Sequence, residues 1–127
     1  MIVIPAPELL VKTTALFAAA DCPPPVAQRV AESLVGNNLA GHDSHGVMMA
    51  PPYVQRIKDG YLNPKGEITV VRESASTALL DCGFTFGQVA AVRLADETED
   101  HVHGGGAAGA ACRWRSTTVI AGLHGAR

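Results

Sequence analysis

"NNLAGHDSHGVMMAPPYVQRIKDGYLNPKG" occupies residues 37–66 of a chain of 127 residues. Its centre, Gly41 to Gly46, sets two histidines, an aspartate and a serine between two glycines. The flanks say where this block sits. In "VAQRVAESLVGNNLAG" (26–41), Val26, Ala27, Val30, Ala31, Leu34 and Asn38 recur at three- and four-residue steps, the period of one helix face. Gly41 is a natural terminator just past that helix. "APPYVQRIKDG" (50–60) predicts a short helix, with Pro51 and Pro52 in its first turn and Gly60 at its end. GHDSHG is therefore expected in a turn that begins where a helix stops.

Working outward, "APELLVKTTALFAAA" (6–20) predicts an earlier helix. Pro7 and Glu8 suit its first turn, and Leu9, Leu10, Thr13, Leu16, Phe17 and Ala20 recur along it. "DCPPP" stops it, and the last of these prolines can open the next helix. Downstream, "YLNPKG" is turn chemistry. "EITVVR" (67–72), with Ile68, Val70 and Val71, and "TALLDC" (77–82) predict two strands, antiparallel because their connection is short. "GQVAAVRLADETED" (87–100) predicts a fourth helix with Val89, Val92 and Ala95 along one stripe. The order is α/β: an N-terminal helical segment (1–66) carrying GHDSHG, then the start of a mixed-sheet core (67–100). From His101 to Arg127 glycine and alanine cluster without helical or strand period, beside the chain's only tryptophan. That tail is expected to be disordered, or of different origin, as after a reading-frame shift.

Composition narrows the function classes. Apolar residues make up 47% of the chain, enough for a packed core, and a net charge of −2 argues against a general nucleic-acid binder. All twelve acidic residues lie at or before Asp100, whereas residues 101–127 carry three arginines. No apolar run reaches the roughly 18 residues of a membrane span, and the N-terminus does not read as a signal peptide. Cys22, Cys82 and Cys112 are widely spaced and form no CxxC, so they are expected to be packing thiols in a cytoplasmic, reduced protein.

Three readings of GHDSHG compete. His42 and His45, with Asp43, could ligate zinc, but a closed site needs four ligands and no nearby Cys or His completes the set, so no metal is expected. A polar turn could let Asp43 or Ser44 cap the next helix. A catalytic turn would use a histidine, whose ordinary pKa lies near neutrality, to move a proton to or from a hydroxyl or carbonyl oxygen. Ser44 could then hydrogen-bond the reacting group, and Gly46 would let substrate or cofactor approach the backbone. Elsewhere, Gly104, Gly106 and Gly109 form a G-x-G-x-x-G with no strand-like lead and no later acid, which reads as chance in a Gly/Ala-rich stretch. His101 and His103 read as a solvated turn.

The run 37–66 resembles the malate/L-lactate dehydrogenase family, NAD(P)-dependent enzymes unrelated in fold to the Rossmann dehydrogenases. The resemblance rests on Gly41 to Gly46, Pro51 or Pro52, Tyr53, Ile57, Gly60 and Pro64. It extends to "LLDCGFTFGQVAAVRLADET", a strand leading through a Gly-Gln turn into a helix, and spans roughly residues 4–98. It implies a proton-transfer role for His45 beside nicotinamide and substrate, with Ser44 and Gly46 flanking it in the same pocket and His42 supporting. It sets Met49 and Tyr53 on the substrate side. Many relatives carry arginine where this chain has Met49, a natural fork for a substrate carboxylate; Met49 looks more like the hydroxycarboxylate dehydrogenase branch, and Arg56 or Arg72 could serve instead. Family members are over twice this length, with most of the cofactor site and a further active-site histidine beyond the matched region. The resemblance implies NAD or NADP as cofactor, a small 2-hydroxy or 2-oxo acid as substrate, a homodimer, and no nucleic-acid or membrane partner. The chain is expected to be the front portion of such an oxidoreductase, inactive alone. The alternative is a non-catalytic interaction module built on the same front end.

Overall fold

A computed structural model describes residues 1–102, 108–114 and 117–123, with side chains through Glu99. The chain divides into two compact units, Met1–Lys65 and Gly66–Arg127.

The first unit holds α1 (Ala6–Ala19), α2 (Pro24–Leu39) and α3 (Ala50–Lys58). Each helix carries proline in its first turn, where a missing N–H costs nothing. The helices also end alike. Past α1, Asp21 takes φ 67°, its N–H donates to the Ala18 carbonyl, and the Cys22 N–H donates to Phe17. Past α2, Gly41 (φ 81°) and His42 donate in the same pattern to Asn38 and Asn37. Past α3, Gly60 and Tyr61 donate to Ile57 and Arg56. This paired closure satisfies two orphan carbonyls and reverses the chain sharply. Buried Phe17 on α1 and Ala27, Val30, Ala31, Leu34 and Val35 on α2 supply the core where the two helices pack. Thr13, also buried, sends its hydroxyl to the Leu9 carbonyl at 2.7 Å.

The second unit is a four-stranded sheet in the order β1 (Thr69–Glu73), β2 (Thr77–Asp81), β3 (Ala108–Trp114), β4 (Thr117–Leu123). β1 and β2 pair antiparallel, as the short connection predicts, with a register irregularity between Val70 and Arg72. β2 and β3 pair parallel, and α4 (Gly87–Val102) makes the crossover that a parallel pair requires. β3 and β4 are again antiparallel. Ala78, Leu80, Cys82, Ala90 and Leu94 form the core, with Ile68 against it. Among the described residues no helix is long and apolar enough to cross a membrane.

Three expectations need correction. The 101–127 stretch, read without period, carries β3 and β4. Strands built from Ala and Gly show no apolar–polar alternation, although the β-branched run Thr117–Ile120 was a usable signal. The stripe of α4 is not Val89, Val92 and Ala95: Ala90, Leu94 and Thr98 are buried, while Val92 and Ala95 are exposed. Both stripes hold small or apolar residues, and sheet contact selects the second. Cys82 is disulfide-bonded rather than a plain packing thiol, which the wide spacing of the cysteines did not show. Gly109 lies within β3; Gly104 and Gly106 lie outside the described residues, as does His103 of the His101/His103 pair.

Candidate active site

The closure of α2 throws the chain back across the helix end and straight into GHDSHG. Asp43–His45 form one short 3-10 turn and Val47–Met49 a second, which leads into α3. The His45 N–H donates to the His42 carbonyl at 2.9 Å, and the Gly46 N–H to the Asp43 carbonyl at 3.0 Å. Residues 41–45 are exposed, while Gly46 is buried. The segment is thus an ordered, solvent-facing turn anchored at Gly46.

Ser44 Oγ and His45 Nδ1 share a hydrogen bond of 2.9 Å, with the donor set by the ring tautomer. This leaves Nε2 as the ring nitrogen available to a ligand. The capping reading fails: no N-cap residue of either 3-10 turn or of α3 makes a side-chain cap, and neither Asp43 nor Ser44 supplies one. Asp43 is engaged elsewhere, its Oδ1 accepting from Asn38 Nδ2 at 2.6 Å. The His42 ring is exposed, and its backbone belongs to the α2 closure. Among the described residues no group of three or more His, Cys, Asp or Glu is arranged to hold a metal ion.

Met49, which ends the second 3-10 turn, and Tyr53 in α3 are both half-buried and lie four residues apart. Arg56 is exposed further along α3. Arg72 belongs to β1 in the other unit.

Sequence reading missed Asn37 and Asn38. Asn38 counted only as a member of the buried face of α2. In the structure Asn37 Nδ2 donates to the His45 carbonyl at 2.8 Å, and Asn38 Oδ1 accepts the Val47 N–H at 2.8 Å. The available signal was the pair of asparagines in the last turn of a helix, since short amide side chains bond local backbone there.

A family model for malate/L-lactate dehydrogenase matches residues 4–127. The chain belongs to the malate/L-lactate dehydrogenase family. Hydroxycarboxylate dehydrogenase B of Escherichia coli is 45% identical over 65 residues, covering 51% of this chain and 18% of that protein. Malate dehydrogenase of Pyrococcus abyssi is 37% identical over 97 residues, covering 74% of this chain and 27% of that protein. The solved structure of malate dehydrogenase from Pyrococcus horikoshii superposes with a TM-score of 0.83 at 30% identity, covering 87% of this chain and 32% of that one. The chain therefore spans about a third or less of the family proteins it matches.

Proposed function

We propose that this chain is the N-terminal portion of an oxidoreductase that moves a hydride between NAD or NADP and a 2-hydroxy acid of the malate/lactate type. The observation that carries the reading is the Ser44–His45 pair, 2.9 Å apart in an exposed turn. With Nδ1–H donating to Ser44 Oγ, Nε2 is unprotonated and takes the substrate hydroxyl proton as the 2-hydroxy acid becomes a 2-oxo acid. In the reverse direction the imidazolium returns that proton to the carbonyl oxygen. Ser44 holds the ring in the useful tautomer and steadies its charged form.

The residues of the turn fit one end of the cofactor. The fixed charge in 41–46 is the Asp43 carboxylate, beside an imidazole and a hydroxyl. An acid suits the cationic ring of an oxidised nicotinamide and repels a pyrophosphate. His45 would face the nicotinamide, which when bound accepts the hydride from substrate C2, and Gly46, buried against Asn38, would hold the turn behind it. His45, Met49 and Tyr53 would line the substrate side. Family resemblance further supports a cytoplasmic enzyme acting as a homodimer, with the 127-residue chain inactive by itself.

The test is a substrate panel. The protein is a full-length family enzyme carrying Met1–Lys65 of this chain, assayed with NAD and NADP. Half-buried Met49 offers a flexible apolar surface, so kcat/KM is expected to be higher for bulky or aryl 2-hydroxy acids than for malate. The isolated chain is expected to give no turnover. Failure to oxidise any 2-hydroxy acid would overturn the reading, and a kcat/KM highest for malate would overturn the role of Met49.

A further inference from the structure

We infer that Asn38 is a positioning residue for His45, and that Gly46 lacks a side chain in order to admit it. The inference rests on the reading of His45 as the proton-transfer group and adds how the fold aims it.

One side chain bridges both ends of the 43–47 segment. Asn38 Nδ2 donates to Asp43 Oδ1 at 2.6 Å, and Asn38 Oδ1 accepts the Val47 N–H at 2.8 Å. The amide orientation is fixed by chemistry: a backbone N–H only donates, and a carboxylate oxygen accepts. Asn37 adds a third tie in the middle, to the His45 carbonyl at 2.8 Å. All three bonds run from the last turn of α2, whose end is itself locked by the Gly41 closure. Ser44 and His45 lie on the exposed arc between the two Asn38 contacts. Their mutual geometry is set by a helix, not by a free loop.

Gly46 supplies the space. A Cβ built there would lie 2.3 Å from Asn38 Oδ1 and 2.5 Å from its Cγ and Nδ2. Gly46 has φ −87°, which any residue adopts, so conformational freedom is not the reason for glycine. Any larger residue would push the Asn38 amide away and break both of its bonds. An aspartate at position 38 could still accept from Val47 but would set a second carboxylate against Asp43.

The test uses the 127-residue chain and needs no turnover. The readouts are the nitrogen NMR signals of the His45 ring, which report its tautomer and hydrogen bonding, and the exchange rate of the Val47 amide. Asn38→Ala is expected to shift the ring signals toward those of a free histidine and to raise Val47 exchange by about tenfold, the worth of one such bond. Asn38→Asp alone should shift the ring signals in the same way, while Val47 exchange, whose N–H the new carboxylate still accepts, should rise less. Combining it with Asp43→Asn restores a donor–acceptor pair in reversed sense and should return the ring signals. Gly46→Ala should mimic Asn38→Ala and add little to it. Unchanged ring signals in a folded Asn38→Ala chain would overturn the inference. So would a swapped pair that fails to restore them, or a parent chain whose His45 ring already looks unstructured; if Asn38→Ala unfolds the chain, the swapped pair decides. The chemistry can fail separately, since it is judged by turnover of His45→Ala.

Discussion

Cys22 follows directly on the left-handed Asp21 that closes α1, and it is 6% exposed. Burial, with the Asp21 carboxylate adding to it, pushes its thiol up from 9.0 to about 11. Alkylation by a maleimide should therefore stay slow near pH 8 and accelerate only as pH approaches 11, which a labelling rate followed by mass spectrometry would show. Fast labelling at pH 8 in the folded chain would contradict the burial. The folded state favours the protonated thiol, so this contribution is fully present below about pH 9 and is lost as pH rises through 11. At this scale the sequence was informative about types but not about contacts. Ser44 and His45 stood out as adjacent polar side chains between glycines, although a polar turn and a metal site competed with catalysis in the same six residues. Asn38 was not, because its partners at 43 and 47 are reached only after the chain reverses at Gly41.

Two glycines make opposite predictions about the elements that hold them. Gly83 follows β2 with φ 55°, and a Cβ there would lie 2.6 Å from the Glu67 carbonyl oxygen and 2.9 Å from its nitrogen. Both the backbone region and the space exclude a side chain, so Gly83→Ala should cost at least about 2 kcal/mol. Gly36 lies inside α2 with open space where its Cβ would be. Gly36→Ala should stabilise by roughly 0.5–1 kcal/mol through helix propensity. Urea melts of both variants check the pair; a neutral Gly83→Ala or a destabilising Gly36→Ala would mean the backbone differs from that described. Helix limits were the most legible feature, because prolines mark the starts of α1, α2 and α3, and Gly41 and Gly60 mark two of the ends. Strand β3 was not, since a strand opening on Ala and Gly shows no apolar–polar alternation, and β4 was missed although Thr117–Ile120 carried a β-branched signal. The buried stripe of α4 was misread because Ala90 and Leu94 compete with Val89 and Val92, and only the sheet decides between them.

Taken as a whole molecule, the chain pairs a helical unit that presents the His45 turn with a unit whose β2–α4–β3 crossover starts a mixed sheet. Family membership covers residues 4–127, and the sequence reading reached it through the 37–66 run and the 79–98 stretch, over roughly residues 4–98. The proposed chemistry assigns proton transfer to the second histidine of GHDSHG, not the first. The two rings differ in the structure, because His45 Nδ1 bonds Ser44 while His42 serves the helix closure through its backbone. The direct measurement is kcat for His45→Ala and His42→Ala in a full-length family enzyme carrying Met1–Lys65 of this chain. Loss of a general acid or base predicts a fall of about 10²–10⁴-fold for His45→Ala, with a smaller fall for His42→Ala. Near-normal turnover in His45→Ala, with the loss falling on His42→Ala instead, would contradict the account.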